Sequence, residues 1–124
     1  MAVAGSILIA VAVVIHVALF SMQSATWSTT WRRFAVRDPA EAETLRPMIY
    51  RQGFFHLFLA VGAAIGLFFY WTKLHNAGFA VLLFCAGCMV LGAVVLLTMG
   101  RNYIRLALVE GAVPLVALVL LCLA

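Results

Sequence analysis

Three stretches without a single Asp, Glu, Lys or Arg dominate this chain: residues 1 to 31, 52 to 72 and 74 to 100, with Glu110 the only charge after Arg105. Each can supply the roughly 20 apolar residues that a helix needs to cross a bilayer. Backbone groups in lipid must satisfy each other, so such segments fold as helices or closed barrels, and the runs are far longer than barrel strands. Four helices fit, at about 3–22, 50–71, 77–99 and 103–123, with a connection over 23–49. The expected fold is an all-α, membrane-spanning up-and-down four-helix bundle in a single domain, residues 1–124. A short amphipathic cytoplasmic segment lies between the first two helices. With 67% apolar and 10% charged residues and a mean hydropathy of +1.17, the chain lies well outside soluble domains, which run about 45–50% apolar and about 25% charged. Its first partner is the lipid bilayer.

The net charge of +4 does not indicate nucleic acid, because the cations sit at helix ends rather than on one folded basic face. Arg32, Arg33, Arg37, Arg46 and Arg51 lie in or beside the first connection and Arg101 and Arg105 beside the third, against Lys73 alone in the second. The positive-inside rule then puts the first and third connections in the cytoplasm and both termini outside, in a cell inner or plasma membrane. A cleaved leader is the competing account of residues 1 to 25, but there is no basic region before the apolar run and that run is too long.

Within the connection, Trp27, Trp31 and Phe34 beside Arg32 and Arg33 are expected at headgroup level. Asp38-Pro39-Ala40-Glu41 is a helix start, with Asp38 as N-cap, Pro39 at the first helical position and Glu41 able to close a capping box. Pro47 either restarts the chain as the spanning helix or kinks one continuous helix. Gly62 and Gly66 form a small-xxx-small pair that permits close helix packing and is compatible with a homodimer.

Polar groups on spanning helices require partners or a function. Glu110 lies about 7 residues, roughly 10 Å, into the fourth helix, below the headgroups. His16 and Gln23, seven apart, share a face of the first helix, and Gln52 and His56, four apart, share a face of the second. Arg51, His56 and His16 are the expected partners of Glu110. Taken singly, His16 or Gln23 reads as an interhelical hydrogen-bonding group rather than as a site. Together, His16, Gln23, Arg51, Gln52, His56 and Glu110 outline a polar pocket in the cytoplasmic half, with Phe54, Phe55 and Phe58 as its apolar wall.

A metal bound by His16, His56 and Glu110 is chemically feasible, yet no tight ligand spacing supports it, and no cofactor or metal is expected. Cys85-Ala86-Gly87-Cys88 raises a quinone-linked thiol oxidoreductase, but the pair falls roughly 12 Å below the outer face and no loop cysteine exists to relay a disulfide. No nucleophile with a paired base and no phosphate loop is visible, so the chain does not read as an enzyme.

These residues also carry a resemblance covering most of the chain, to the small four-helix membrane proteins of the domain of unknown function 1304 family. That family shows a His in helix one, then an acid, a Trp and a Phe at fixed intervals, where this chain has His16, Gln23, Trp27 and Phe34. Against the central signature Asn-Gln-Gly-x-Tyr-Asn-x-Phe-Leu-Ala followed by Gly, the residues Gln52, Gly53, Phe58, Leu59, Ala60 and Gly62 match, while Arg51, Phe55 and His56 depart. Near the end the family carries a Gln shortly before a Pro; here Pro114 is present and Glu110 stands one position further away. The resemblance implies fold and membrane location and brings no activity with it. The departures fall on the polar positions, so a carboxylate absent at Gln23 and present at Glu110 implies a retained but retuned pocket. The functional expectation is an amphipathic ligand, such as a lipid, quinone or fatty acid, held in that pocket. The alternatives are a small proton-coupled exporter and an accessory subunit or assembly factor of a larger membrane complex.

Overall fold

A computed structural model describes residues 1–124. Its elements are α1 (Ala2–Phe20), a π-helical turn (Ser21–Ala25), a single α-turn α2 (Trp27–Thr30), a 3-10 turn (Trp31–Phe34), α3 (Pro39–Tyr70), α4 (His75–Met99), a second 3-10 turn (Arg101–Tyr103) and α5 (Ile104–Leu123). Four stretches are long and apolar enough to cross a membrane: Ala2–Ala25, Pro39–Tyr70, His75–Met99 and Arg101–Leu123. The four long helices form a ring in which α1 packs on α3 and α5, and α4 packs on the same two. α1 therefore faces α4 across the bundle axis, and α3 faces α5. We call the end with the tight α3–α4 turn the hairpin end, and the opposite end, with the long connection, the linker end.

The start of α3 follows from its capping chemistry. Asp38 Oδ1 accepts the Glu41 backbone N–H at 2.8 Å, with Pro39 in the first turn, where its missing N–H leaves no helical bond unmade. The Glu41 carboxylate does not complete the box; it turns to Arg37 and accepts from Nε at 2.8 Å. That contact raises the guanidinium pKa above its ordinary value. Pro47 neither breaks nor restarts the helix, because α3 runs unbroken through it for 32 residues. The carbonyl this proline leaves without a partner belongs to Glu43, which is exposed and open to solvent. At 1.5 Å per residue α3 is about 48 Å long, well beyond a hydrocarbon core of about 30 Å, so its first turns stand at the linker end as a wall.

The connection folds inward. Trp27 and Phe34 are buried with Leu19 and Ala42 rather than turned out to headgroups. The indole tolerates this position because Nε1–H donates to the Ala42 carbonyl at 2.9 Å. The return into α5 requires Gly100, whose φ of +140° and ψ of 171° exclude a side chain.

The hairpin half is filled with small and branched side chains. Ile9, Ala12, Ala63, Leu82, Ala86 and Ala117 are 0% exposed and belong to one cluster with Cys85, Met89 and Leu121. Gly62 and Gly66 serve this packing inside the chain. A Cβ at Gly62 would meet Cys85 Sγ at 2.7 Å, and one at Gly66 would meet Leu82 N at 3.1 Å. The pair thus closes the α3–α4 seam.

Candidate functional site

The polar residues meet at one level. His16 is 14 residues from Ala2, His56 14 from Tyr70, Met89 14 from His75 and Glu110 13 from Leu123. Counted from the hairpin end, all four therefore lie about 20 Å down the bundle. Antiparallel helices of matched length bring these residues together although 94 positions separate His16 from Glu110 in the sequence.

His16, Gln23, His56 and Glu110 are the buried polar side chains of the molecule, at 1%, 5%, 4% and 8% exposure. The His16 Nδ1–H donates to the Ala12 carbonyl at 3.0 Å, because a carbonyl oxygen can only accept. In the neutral ring this bond selects the Nδ1–H tautomer and leaves Nε2 as an acceptor without a partner. His56 stacks obliquely against it, ring centroids 5.2 Å apart, with both ring nitrogens unpartnered. Its Nε2 stands 3.6 Å from Glu110 Oε1 across the bundle axis. That distance is close enough for electrostatic attraction and too long for a hydrogen bond. Gln23, on the π-turn, also has its Oε1 buried without a partner. Unpaired buried polar atoms cost about 1–3 kcal/mol each, and here they gather in one place.

The residues that carry them line a cavity of about 590 Å³ in the linker half. His16, His56, Met89 and Glu110 form its floor, about 13 Å from the linker end of the spanning segments at 1.5 Å per residue. Trp27, Phe34, Leu45, Met48, Ile49, Val95, Leu96, Met99, Tyr103 and Leu106 form walls and mouth, with Gln23 and Gln52 part of the way up. No lysine or arginine lines it.

Of the residues singled out from sequence, His16, Gln23, Gln52, His56, Glu110 and Phe55 line this cavity, whereas Arg51, Phe54 and Phe58 do not. The helical period explains the division. On α3 the lining positions 45, 48, 49, 52, 55, 56 and 59 keep to one side, while Arg51 lies five residues, or about 140°, from His56. Arg51 is exposed with its guanidinium 5.2 Å from the Phe55 ring centroid, so it is no counter-charge to Glu110. Phe54 packs edge-on against Phe20 of α1 at 5.0 Å, and Phe58 is 60% exposed on the outer surface. The α4 wall, Cys88, Met89, Gly92, Val95, Leu96 and Met99, was not visible among the polar positions because that helix has none at this depth. Its 3-4-7 spacing was the one available signal. Cys85 and Cys88 are both free thiols, the former in the packed core and the latter on the cavity.

Fold and cavity define a class: a small membrane-spanning four-helix bundle that is packed shut in one half and hollow with a polar floor in the other. Residues 10–122 match the family described as "Protein of unknown function (DUF1304)", and the chain belongs to that family. No curated protein and no solved structure matches it.

Proposed function

We propose that this protein binds an amphipathic, lipid-like molecule in the cavity, with the polar end of the ligand on the floor made by His16, His56 and Glu110. The reading rests above all on the unpartnered buried nitrogens of both histidines, which gather beside a mostly apolar space of about 590 Å³. Native pockets of roughly this size combine apolar walls with a few polar anchors. A ligand that bonds those atoms removes a standing penalty from the folded state. The arginine excess at the linker end supports placing the cavity mouth on the cytoplasmic side of the membrane.

The exporter alternative needs polar groups along a path to the opposite face. Beyond His16 and His56 the buried core consists of Ile9, Ala12, Ala63, Leu82, Ala86 and Ala117, which favours binding over passage. Native mass spectrometry of protein released in mild detergent tests the proposal. The expected result is a retained small-molecule adduct that disappears in His56→Leu and persists in Arg51→Ala. An unadorned wild-type mass, or an adduct equally retained in His56→Leu, contradicts it.

A further inference from the structure

Resting on the binding reading above, we infer that the cavity fills sideways from the bilayer, through an opening between α3 and α4, and takes a molecule whose head donates hydrogen bonds and carries no negative charge.

The opening follows from which seams are closed. In the linker half the π-helical turn that follows α1 is in direct contact with α3 at Gly53, where a Cβ would collide with Ser24 Oγ and meet Gln23 Cβ at 3.2 Å. α4 and α5 are in contact at the level of the floor, at Gly111, where a Cβ would run into Ala93. The close approaches between α3 and α4, at Gly62, Gly66 and Gly78, all lie towards the hairpin end. Below them the two helices carry every exposed residue of the cavity lining: Met48, Gln52 and Phe55 on α3, and Gly92, Val95 and Met99 on α4. Residues that line a cavity and also reach the outer surface of a membrane bundle mark a side entrance. Nearly all of them are apolar, as an edge facing acyl chains must be.

The head chemistry follows from the donor and acceptor inventory of the floor. His16 offers Nε2 as a pure acceptor, because its Nδ1–H is held by Ala12. His56 adds one acceptor nitrogen in either neutral tautomer, and Glu110 adds at least one accepting oxygen in either protonation state. Acceptors therefore outnumber donors, and an acceptor-only head such as a quinone carbonyl leaves His16 unsatisfied. An anionic head meets the Glu110 carboxyl group with no lysine or arginine in the lining to offset it, which disfavours a fatty-acid carboxylate as the natural occupant. A hydroxyl or an amine on a single apolar chain fits, with the head on the floor and the chain leaving between α3 and α4.

The test uses ligand-stripped, full-length protein in lipid nanodiscs and three probes of equal chain length: 1-tetradecanol, 1-methoxytetradecane and tetradecanoate at pH 9. Native mass spectrometry of the nanodiscs reads occupancy. The alcohol should bind about tenfold or more tightly than the ether, which lacks the donor, and than the anion. Val95→Trp and, as a second rim variant, Gly92→Phe should slow uptake of the alcohol from vesicles by about tenfold, with Val17→Trp on α1 unchanged as the control. Equal binding of ether or anion overturns the head assignment while leaving the binding reading standing. Unslowed uptake in both rim variants, with melting temperatures like the wild type, overturns the side entrance. Failure of all three probes to bind overturns both, together with the binding reading itself.

Discussion

The hairpin half and the linker half are made by the same four helices, yet one is filled and the other hollow. In the hairpin half, small residues at Ala12, Ala63, Ala86 and Ala117 let the helices draw together around Ile9 and Leu82. In the linker half, two histidines, a glutamine and a glutamate occupy the corresponding positions and line a cavity. A bundle in lipid gains little from hydrophobic burial and is held by close packing, so the filled half carries the stability. The hollow half leaves polar atoms unbonded and is the part that can hold something else. A packed core and a polar-floored cavity are thus divided along the axis of one small fold.

Truncation offers the largest contrast between the halves. Leu82→Ala removes a fully buried side chain from the filled half and should cost about 2–5 kcal/mol in denaturant unfolding from micelles. Leu96→Ala on the cavity wall should cost about 1 kcal/mol or less, since it enlarges a space that already exists. Equal losses would erase the distinction. Enlargement should follow the same order with smaller numbers. Ala86→Leu overpacks the core and should destabilise by about 1–3 kcal/mol. Gly92→Leu has room, because a Cβ there meets nothing nearer than Glu110 Oε2 at 4.0 Å; it should leave the melting temperature nearly unchanged while displacing ligand.

Asp38→Ala removes the cap of the long α3 wall and should cost about 1 kcal/mol. Hydrogen exchange should rise at the linker end of α3 alone, which shows whether the hollow half opens independently of the filled one. The smallest effect belongs to His56→Leu. Replacing two unpartnered nitrogens with methyl groups should leave stripped protein as stable as the wild type, or about 1 kcal/mol more so, in the assay in which Leu82→Ala fails. A large loss of stability in His56→Leu would mean that the imidazole serves packing rather than a ligand.

The four helices, their order and most of the floor were legible in the sequence, because charge-free runs and isolated polar groups are strong signals in a membrane chain. His16, His56 and Glu110 could be placed at a common depth by counting residues from helix ends. Arg51, Phe54 and Phe58 lie off the cavity because neighbours in a helical sequence are not neighbours in space, each residue turning the side chain by about 100°. The inward fold of Trp27 depends on the Ala42 carbonyl 15 residues away, and no local pattern announces that bond. The α4 wall was hidden for a different reason. Its helix is apolar on every side, so no amphipathic face separates cavity from lipid.

The account is tested most directly by a structure of the unmodified protein in lipid nanodiscs, read at the cavity floor. The expected map shows density within hydrogen-bonding distance of His16 Nε2 and His56, continuing as a chain between α3 and α4, with Leu82 and Ala86 closed around an unoccupied axis. A map in which His56 instead bonds directly to Glu110, and the wall side chains collapse to fill the space, would contradict it.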